Sequence, residues 1–425
     1  MDMAEPTYIP RDIYLQKLIL RRDNGEIKIV TGPRRCGKSW LLKKIYRDYL
    51  LADGVPPQNI ITVSFDLDED PEGEELTDPA TLKRYLYSRI KTDTLARYYV
   101  ILDEVQTVEG FERIANGLNA RDNVDVYLTG SNSRFLSTDI NTIFRGRGDE
   151  IRVYPLSFKE FCTDRGEAVG DLWKEYYTFG GMPALRHQPT PEQKVSYLQR
   201  LWQKTYIDDV VERNAVRNRQ ALESLVDHLC SAIGSLTNPN KIRNSLSSLQ
   251  HIRIEDETIA SYLRYLENSF LFEGASRYNV KGRKYYESIK KYYAVDVGLR
   301  NARLNFRQQE PTPIMENVIY NELRLRGYAV DVGVIETRTT VDGKSLYKQW
   351  EVDFIATDGL RKFYIQSAYA LPTDEKCRQE LAPLKKIDDS FRKIVIVAHD
   401  IATYTDTNGF IFMSLFTFLL NDTRL

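Results

Sequence analysis

Residues 32–39 read Gly-Pro-Arg-Arg-Cys-Gly-Lys-Ser, and no other stretch constrains the fold of this chain as strongly. The spacing is G-x-x-x-x-G-K-[ST], with Gly32, Gly37, Lys38 and Ser39 in the fixed positions. The glycines permit a tight turn in which successive backbone N–H groups point at phosphate oxygens. Lys38 is placed to reach β- and γ-phosphates, and the Ser39 hydroxyl to sit on Mg²⁺. Pro33, Arg34, Arg35, Cys36 and Trp40 complete the candidate cradle. Such a loop works between a strand and the positive end of a helix. The flanks comply, with a strand-like Ile27–Val30 before it and helical spacing over Ser39–Leu51 after it.

The rest of the first third repeats that alternation. Strand-like runs are Glu26–Thr31, Ile60–Asp66, Tyr98–Asp103, Val124–Thr129 and Glu150–Tyr154, with helical stretches such as Thr81–Ile90 and Phe111–Leu118 between them. This predicts a mostly parallel sheet covered by helices. Asp68–Glu75 is acidic and bears Gly and Pro, as an exposed loop does.

Two further elements extend the phosphate site. The apolar run Tyr99–Leu102 ends in Asp103 and Glu104. Asp103 is suited to the Mg²⁺ shell, and Glu104 to orienting and deprotonating an attacking water. The next strand ends in Thr129-Gly130-Ser131-Asn132, where Asn132, or alternatively Ser131, is placed to position that water. Arg145 and Arg147 follow in Phe-Arg-Gly-Arg-Gly, and either can act as the arginine that stabilises transition-state charge, in cis or from a neighbour.

Composition narrows the remaining choices. In 425 residues, 59 Lys and Arg offset 60 Asp and Glu for a formal net charge of −1, which excludes a globally basic nucleic-acid coat. Cys36, Cys162, Cys230 and Cys377 are scattered without a C-x-x-C pair, so neither a disulfide framework nor structural zinc is expected. His187, His228, His251 and His399 show no ligand spacing. Met1–Asp12 lacks an apolar leader core, and Phe410–Leu420 is too short to span a bilayer and reads as a buried strand or helix. A soluble, cytoplasmic chain without a membrane partner is the expectation.

Beyond Pro155 the periodicity turns helical to about Glu273, as in Val195–Val211, Gln220–Leu236 and Asp256–Phe272. A basic, tyrosine-rich segment, Arg277–Lys291, follows. Then Met315–Arg326 reads as a helix, and Ala329–Val334, Gln349–Ala356, Lys362–Ser367 and Lys393–Ala398 as strands.

These residues together resemble the AAA+-type ATPases of prokaryotes. The resemblance is carried by the arginine-bearing P-loop, Val-Ile-Leu-Asp-Glu-Val-Gln, Leu-Thr-Gly-Ser and Tyr-Pro-Leu-Ser-Phe-Lys-Glu-Phe. More narrowly it is to the branch whose C-terminal half is a domain of unknown function, through Gly180-Gly181-Met182-Pro183, the run Tyr292–Leu299 and Glu351-Val352-Asp353-Phe354. It implies ATP and Mg²⁺ as cofactors, a five-strand core with an extra strand between the nucleotide motifs, a winged helix and a C-terminal core like that of restriction endonucleases. The expected fold is therefore α/β: a P-loop ATPase sheet over 1–157, a helical linker or lid over 158–220, a winged-helix-like domain over 221–291 and a restriction-endonuclease-like domain over 292–425.

Within that frame, Arg277, Lys281, Arg283 and Lys284 are candidate DNA contacts on a basic wing. They are joined by Lys290 and Lys291 against Glu287, and interleaved with Tyr278, Tyr285 and Tyr286. The acidic helix before them, with Asp256, Glu257 and Glu267, is poorly suited to a DNA groove. Glu316, Asp353 and Gln366 match a nuclease site, with Glu351 as a further carboxylate. The lysine expected two residues after Gln366 is Ala368, leaving Lys348 or Lys362 as substitutes. The degraded pattern points to a structural or binding role. Three readings follow: an oligomeric, DNA-associated ATPase, a STAND-like signalling switch acting on a protein partner, and an ATP-regulated DNA nuclease.

Overall fold

The computed structural model describes residues 8–65, 75–91, 95–130, 143–144, 146–250, 254–341 and 344–421. The chain forms two compact units, Met1–Pro155 and Leu156–Leu425.

The first unit is built on a five-stranded sheet of β1 (Ile27–Thr31), β2 (Ile60–Ser64), β3 (Tyr98–Asp103), β4 (Val124–Thr129) and β5 (Gly148–Arg152). The strands run in the order β2-β3-β4-β1-β5, all parallel. Every residue of β1, β3 and β4 is buried, as expected for a parallel sheet covered on both faces. Helices Asp12–Arg21, Pro79–Arg89 and Phe111–Asn119 belong to this unit. Asp78 caps the second of these by accepting from the Thr81 N–H at 2.8 Å, with Pro79 at the first helical position. β4 separates β1 from β3, so the ends of three strands converge on one edge of the sheet.

That sheet also contains a charge pair that periodicity does not reveal. Lys28 on β1 meets Asp125 on β4, both buried, and the Tyr127 hydroxyl donates to the same carboxylate at 2.7 Å. The two ions, diagonal neighbours across strands where Lys28 pairs with Tyr127, satisfy each other, which is what permits them inside an apolar sheet.

The second unit begins with helices, including Phe158–Cys162, Val169–Phe179, Pro191–Arg200, Arg219–Ser231, Pro239–Gln250 and Asp256–Asn268. The helix Asp256–Asn268 buries Ile259, Tyr262, Leu263 and Leu266, the apolar face that its spacing predicts. A nine-stranded sheet completes the unit. It comprises β6 (Leu236–Thr237), β7 (Phe272–Asn279), β8 (Lys284–Ala294), β9 (Ala329–Val341), β10 (Lys344–Thr357), β11 (Lys362–Ala368), β12 (Arg392–Val397), β13 (Tyr404–Thr405) and β14 (Phe410–Ser414). Its order is β13-β14-β12-β11-β10-β9-β7-β8-β6. A domain edge at 291/292 would cut β8, and β7 pairs in parallel with β9 from Arg277↔Val332 to Asn279↔Val334. The sheet is continuous there because the free edge of β7 is closed by β9. The apolar run 410–420 is both a strand and a helix: Ser414 ends β14 and caps Leu415–Leu420 by accepting from the Thr417 N–H at 3.0 Å. Among the described residues, no helix is long and apolar enough to cross a membrane.

Two of the sequence motifs meet inside this unit. The Asp296 carboxylate accepts from the Gly181 N–H at 2.8 Å and from the Leu299 N–H at 2.9 Å. A Cβ on Gly298 would lie 1.8 Å from the Phe179 carbonyl oxygen, so that position tolerates only glycine. Asn301 donates to the Tyr177 and Thr178 carbonyls at 2.8 and 2.9 Å. The Gly180–Pro183 motif is thus held by the residues around Asp296.

Burial pushes the Asp296 carboxyl up to about 6, against the backbone N–H groups that favour its charge. Its folded pKa lies above its unfolded value, so its contribution is complete at low pH and is lost as the pH rises through 6. Unfolding free energy relative to an Asp296→Asn variant should therefore fall by about 2 kcal/mol between pH 4 and pH 7.5. Denaturant midpoints measure it, and a difference flat across that range would contradict the assignment.

Candidate functional site

The strongest convergence of polar groups in the first unit lies where β1, β2, β3 and β4 end. The loop after β1 turns sharply at Gly32, whose φ is 140° and where a Cβ would lie 2.1 Å from the Val153 carbonyl oxygen. The buried Lys38 ammonium donates to the carbonyls of Gly32 and Pro33 at 3.0 and 2.9 Å, inside the loop it serves. Lys38–Trp40 opens a helix that continues through the π-helical Leu41–Tyr46 to Arg47–Ala52.

Asp103 is the centre of the site. One carboxylate oxygen accepts from the Ser39 hydroxyl at 2.9 Å and from the Thr129 hydroxyl at 2.5 Å. The other accepts from Ser64 at 3.4 Å and lies 3.6 Å from the Lys43 ammonium. Burial pushes this carboxyl up, while the Thr129 and Ser39 hydroxyls and Lys43 pull it down. These donors come from the P-loop helix and from the ends of β2 and β4, so Asp103 ties the strand ends together. Ser39 and Asp103 also supply hard oxygen donors of the kind Mg²⁺ takes.

Glu104 follows in a left-handed conformation, φ 54° and ψ 40°. Its N–H donates to the Thr129 hydroxyl at 2.9 Å and its carboxylate receives the Gln106 amide. Thr129 therefore holds both acidic residues, a role that the sequence offers only as the last position of an apolar strand. Arg11 is a second residue the motifs do not reveal. Buried, it donates to the carbonyls of Cys36 at 3.1 Å and Tyr154 at 2.7 Å, bracing the loop. Cys36 is wholly buried, and burial pushes its thiol up, which marks it as packing rather than a reactive thiol. Arg35 and Trp40 are exposed, with Trp40 half-exposed beside the loop.

The arginines divide. Arg147 is exposed and precedes β5, its carbonyl accepting from the Ile27 N–H at 2.7 Å. It stands beside the start of β1, whereas the P-loop follows the end of β1, about 13 Å further along the strand. Within one chain it does not meet the phosphate loop. Arg145, Ser131, Asn132 and most of the acidic stretch 68–75 lie outside the described residues.

In the second unit, Glu316, Glu351 and Asp353 come together, but around a residue assigned by sequence to the DNA-facing wing. The Lys291 ammonium lies 2.9 Å from Glu316, 2.9 Å from Glu351 and 3.8 Å from Asp353, and is only 4% exposed. Tyr293 donates to Glu316 at 2.7 Å. Burial alone would lower the Lys291 pKa, and the three carboxylates outweigh it and raise it. Gln366 does not join this group; its amide reaches Glu380 at 3.4 Å. Neither Lys348 nor Lys362 replaces the missing lysine, because they lie over the rings of Trp350 and Phe391 at 3.8 and 4.6 Å. Among the described residues, no group of three or more His, Cys, Asp or Glu is arranged to hold a metal ion.

Of the candidate DNA contacts, Lys281, Arg283 and Lys284 are exposed around the β7–β8 turn. Arg277 is not available: it is buried, donates to Gln349 at 3.2 Å and lies 5.1 Å from the Tyr286 ring centroid. Lys290 is drawn to Glu267 at 3.5 Å.

Removing Lys291 strands three carboxylates in a buried place. Lys291→Met should destabilise the protein by about 3–5 kcal/mol, and adding Glu351→Gln should recover part of that loss. Thermal and denaturant unfolding measure both, and native stability in Lys291→Met would contradict the ion cluster.

Comparison with known proteins bears on this architecture. Residues 24–162 match a family described as an AAA domain, and residues 170–310 match a domain of unknown function, DUF8612. An uncharacterized protein of Haemophilus influenzae is 34% identical over 393 residues, covering 91% of this chain and 93% of that one. An uncharacterized protein of Methanocaldococcus jannaschii is 29% identical over 410 residues, covering 94% of this chain and 85% of that one. The solved structure of the Aeropyrum pernix ORC1 protein in complex with DNA is 13% identical and covers 71% of this chain and 94% of its own, with a TM-score of 0.28, too low to carry an argument. The P-loop domain and the near full-length relative place the chain in a prokaryotic family of AAA-type P-loop ATPases whose C-terminal region is of unknown function.

Proposed function

We propose that the chain binds and hydrolyses ATP at the edge where β1, β3 and β4 end, and that it does so as an Mg²⁺-dependent, DNA-associated oligomer. The observation that carries the reading is Asp103, which accepts from Ser39 and Thr129 while Lys38 sits inside the phosphate loop. Bound Mg²⁺ would supply charge neutralisation at the phosphates, with Ser39 and Asp103 as its protein oxygens.

The chain's own residues account for the remaining steps. Backbone N–H groups of 32–38 and the helix end cradle the phosphates. Lys38 exchanges the Gly32 and Pro33 carbonyls for phosphate oxygens, which bind its ammonium more strongly than neutral carbonyls do. Glu104 takes a proton from water as that oxygen bonds to the γ-phosphorus and the bond to the bridging oxygen breaks, giving ADP and phosphate. Gln106 holds the Glu104 carboxylate in reserve. Asn132 or Ser131 positions the water. Arg147, at the far end of the sheet within its own chain, serves a neighbouring subunit, with Arg145 as the alternative; a finger supplied by a neighbour makes turnover depend on assembly.

The second unit provides the surface on which ATP state acts. Its order from Arg219–Ser231 to β8 is helix, strand, two helices and hairpin, which supports reading it as a winged helix with Lys281, Arg283 and Lys284 on the wing. The β9–β14 region is read as a nuclease-like core. Lys291 already engages Glu316 and Glu351, which favours a binding role over cleavage.

Lys38→Ala should abolish nucleotide binding in a fluorescent-nucleotide titration; normal affinity would sink the assignment. The trans arrangement has its own test. Lys38→Ala protein retains its arginines, whereas Arg145→Ala/Arg147→Ala protein retains its nucleotide site. Mixing the two inactive variants should restore part of the ATPase rate, and no recovery would overturn it.

A further inference from the structure

The exposed cations of the β7–β8 turn have a neighbour. Past Val334, β9 leaves β7 but stays paired with β10, from Gln349↔Glu336 through Tyr347↔Arg338 to Lys344↔Val341. A two-stranded arm therefore projects beside the wing. Three polar contacts bind the two together, and a fourth, from Gln349 to Glu336, lies within the arm. The Glu336 carboxylate accepts from Tyr286 at 2.6 Å, from Gln349 at 3.1 Å and from Asn279 at 3.2 Å, and Gln349 in turn accepts from Arg277 at 3.2 Å. The wing and the arm are held as one surface, and Arg277 serves that purpose rather than facing solvent.

The arm carries the same chemistry as the wing. Arg338, Tyr347 and Lys348 are exposed, Tyr347 to 73%, with the Arg338 guanidinium 5.8 Å from the Tyr347 ring centroid. On the wing, Lys281, Arg283 and Lys284 stand with Tyr285, which is 58% exposed. Five exposed cations thus oppose Glu336, whose charge is met by three donors, and Asp331, which accepts from the Tyr285 hydroxyl at 3.0 Å. Strand alternation places Arg338 and Tyr347 on the face of Glu336 and Gln349.

We propose that the wing and the β9–β10 arm form a single edge for duplex DNA. Lys281, Arg283 and Lys284 sit on phosphates, as does Lys348 from the opposite face of the arm, and the arm enters the major groove with Arg338 and Tyr347. A two-stranded ribbon has the cross-section that the major groove admits. Cations set its salt-dependent affinity, and the tyrosines add apolar contact to sugar and base edges. The inference rests on the DNA-associated reading above and extends it to residues outside the wing.

Anisotropy of a labelled duplex, titrated with full-length protein between about 50 and 200 mM salt, tests it. The wing variant Lys281→Ala/Arg283→Ala/Lys284→Ala and the arm variant Arg338→Ala/Tyr347→Ala/Lys348→Ala should each lose about tenfold or more in affinity. The arm variant should also lower the slope of log affinity against log salt by about 1, for the one phosphate contact of Lys348. All substituted side chains are exposed, and circular dichroism verifies the fold. If the wing variant weakens binding and the arm variant does not, the shared edge is overturned and DNA association stands. If native protein binds no duplex, DNA association itself fails. Preferential binding of single strands, indifferent to the arm variant, overturns the groove placement.

Discussion

The phosphate site depends on one carboxylate kept in a place that disfavours its charge. Asp103 is almost wholly buried at the end of an apolar strand, and only the hydroxyls of Ser39, Thr129 and Ser64 and the nearby Lys43 make that tolerable. Those partners arrive from three elements: Ser39 and Lys43 from the P-loop helix, Ser64 from β2 and Thr129 from β4. The insertion of β4 between β1 and β3 brings Thr129 to Asp103, and through the Glu104 N–H the same hydroxyl fixes the next acid. Strand order, P-loop placement and the orientation of the carboxylate pair are consequences of satisfying one buried group.

The second unit follows the same rule with different residues. Glu316, Glu351 and Asp353 are brought close enough to repel, and Lys291 resolves the repulsion from β8. Asp296 is resolved by backbone N–H groups instead. In each case a buried charge joins segments remote in sequence, which gives the unit cohesion. The nuclease-like pattern in the sequence is therefore compatible with a structural use of its acids.

Much of the first unit was legible because its signals are local. Four of the five strands of the sheet show as runs of apolar residues, whereas β5, Gly-Asp-Glu-Ile-Arg, begins two residues before the expected Glu150–Tyr154, and the P-loop constrains what precedes and follows it. The carboxylate pair is found by its position at a strand end. What escaped needs three-dimensional proximity. Lys291 read as one more cation in a basic stretch, because alternation along β8 cannot show which face meets Glu316. Arg277 read as a wing contact for the same reason. Arg147 sits close to the phosphate motifs in sequence, yet a parallel strand starts at the opposite end of the sheet from where its neighbour finishes. The single sheet through β8 was hidden because pairing of β7 with β9 is non-local. Arg11 gives no motif at all, since it acts through backbone carbonyls.

The most direct test of the account is the Glu104→Gln variant, followed by nucleotide affinity and steady-state ATP hydrolysis on the same preparation. The substitution preserves size and removes the base. Affinity should match the native protein while turnover falls about 10²- to 10⁴-fold, the usual contribution of a positioned general base. Unchanged turnover would contradict the assignment of the site at the end of β3.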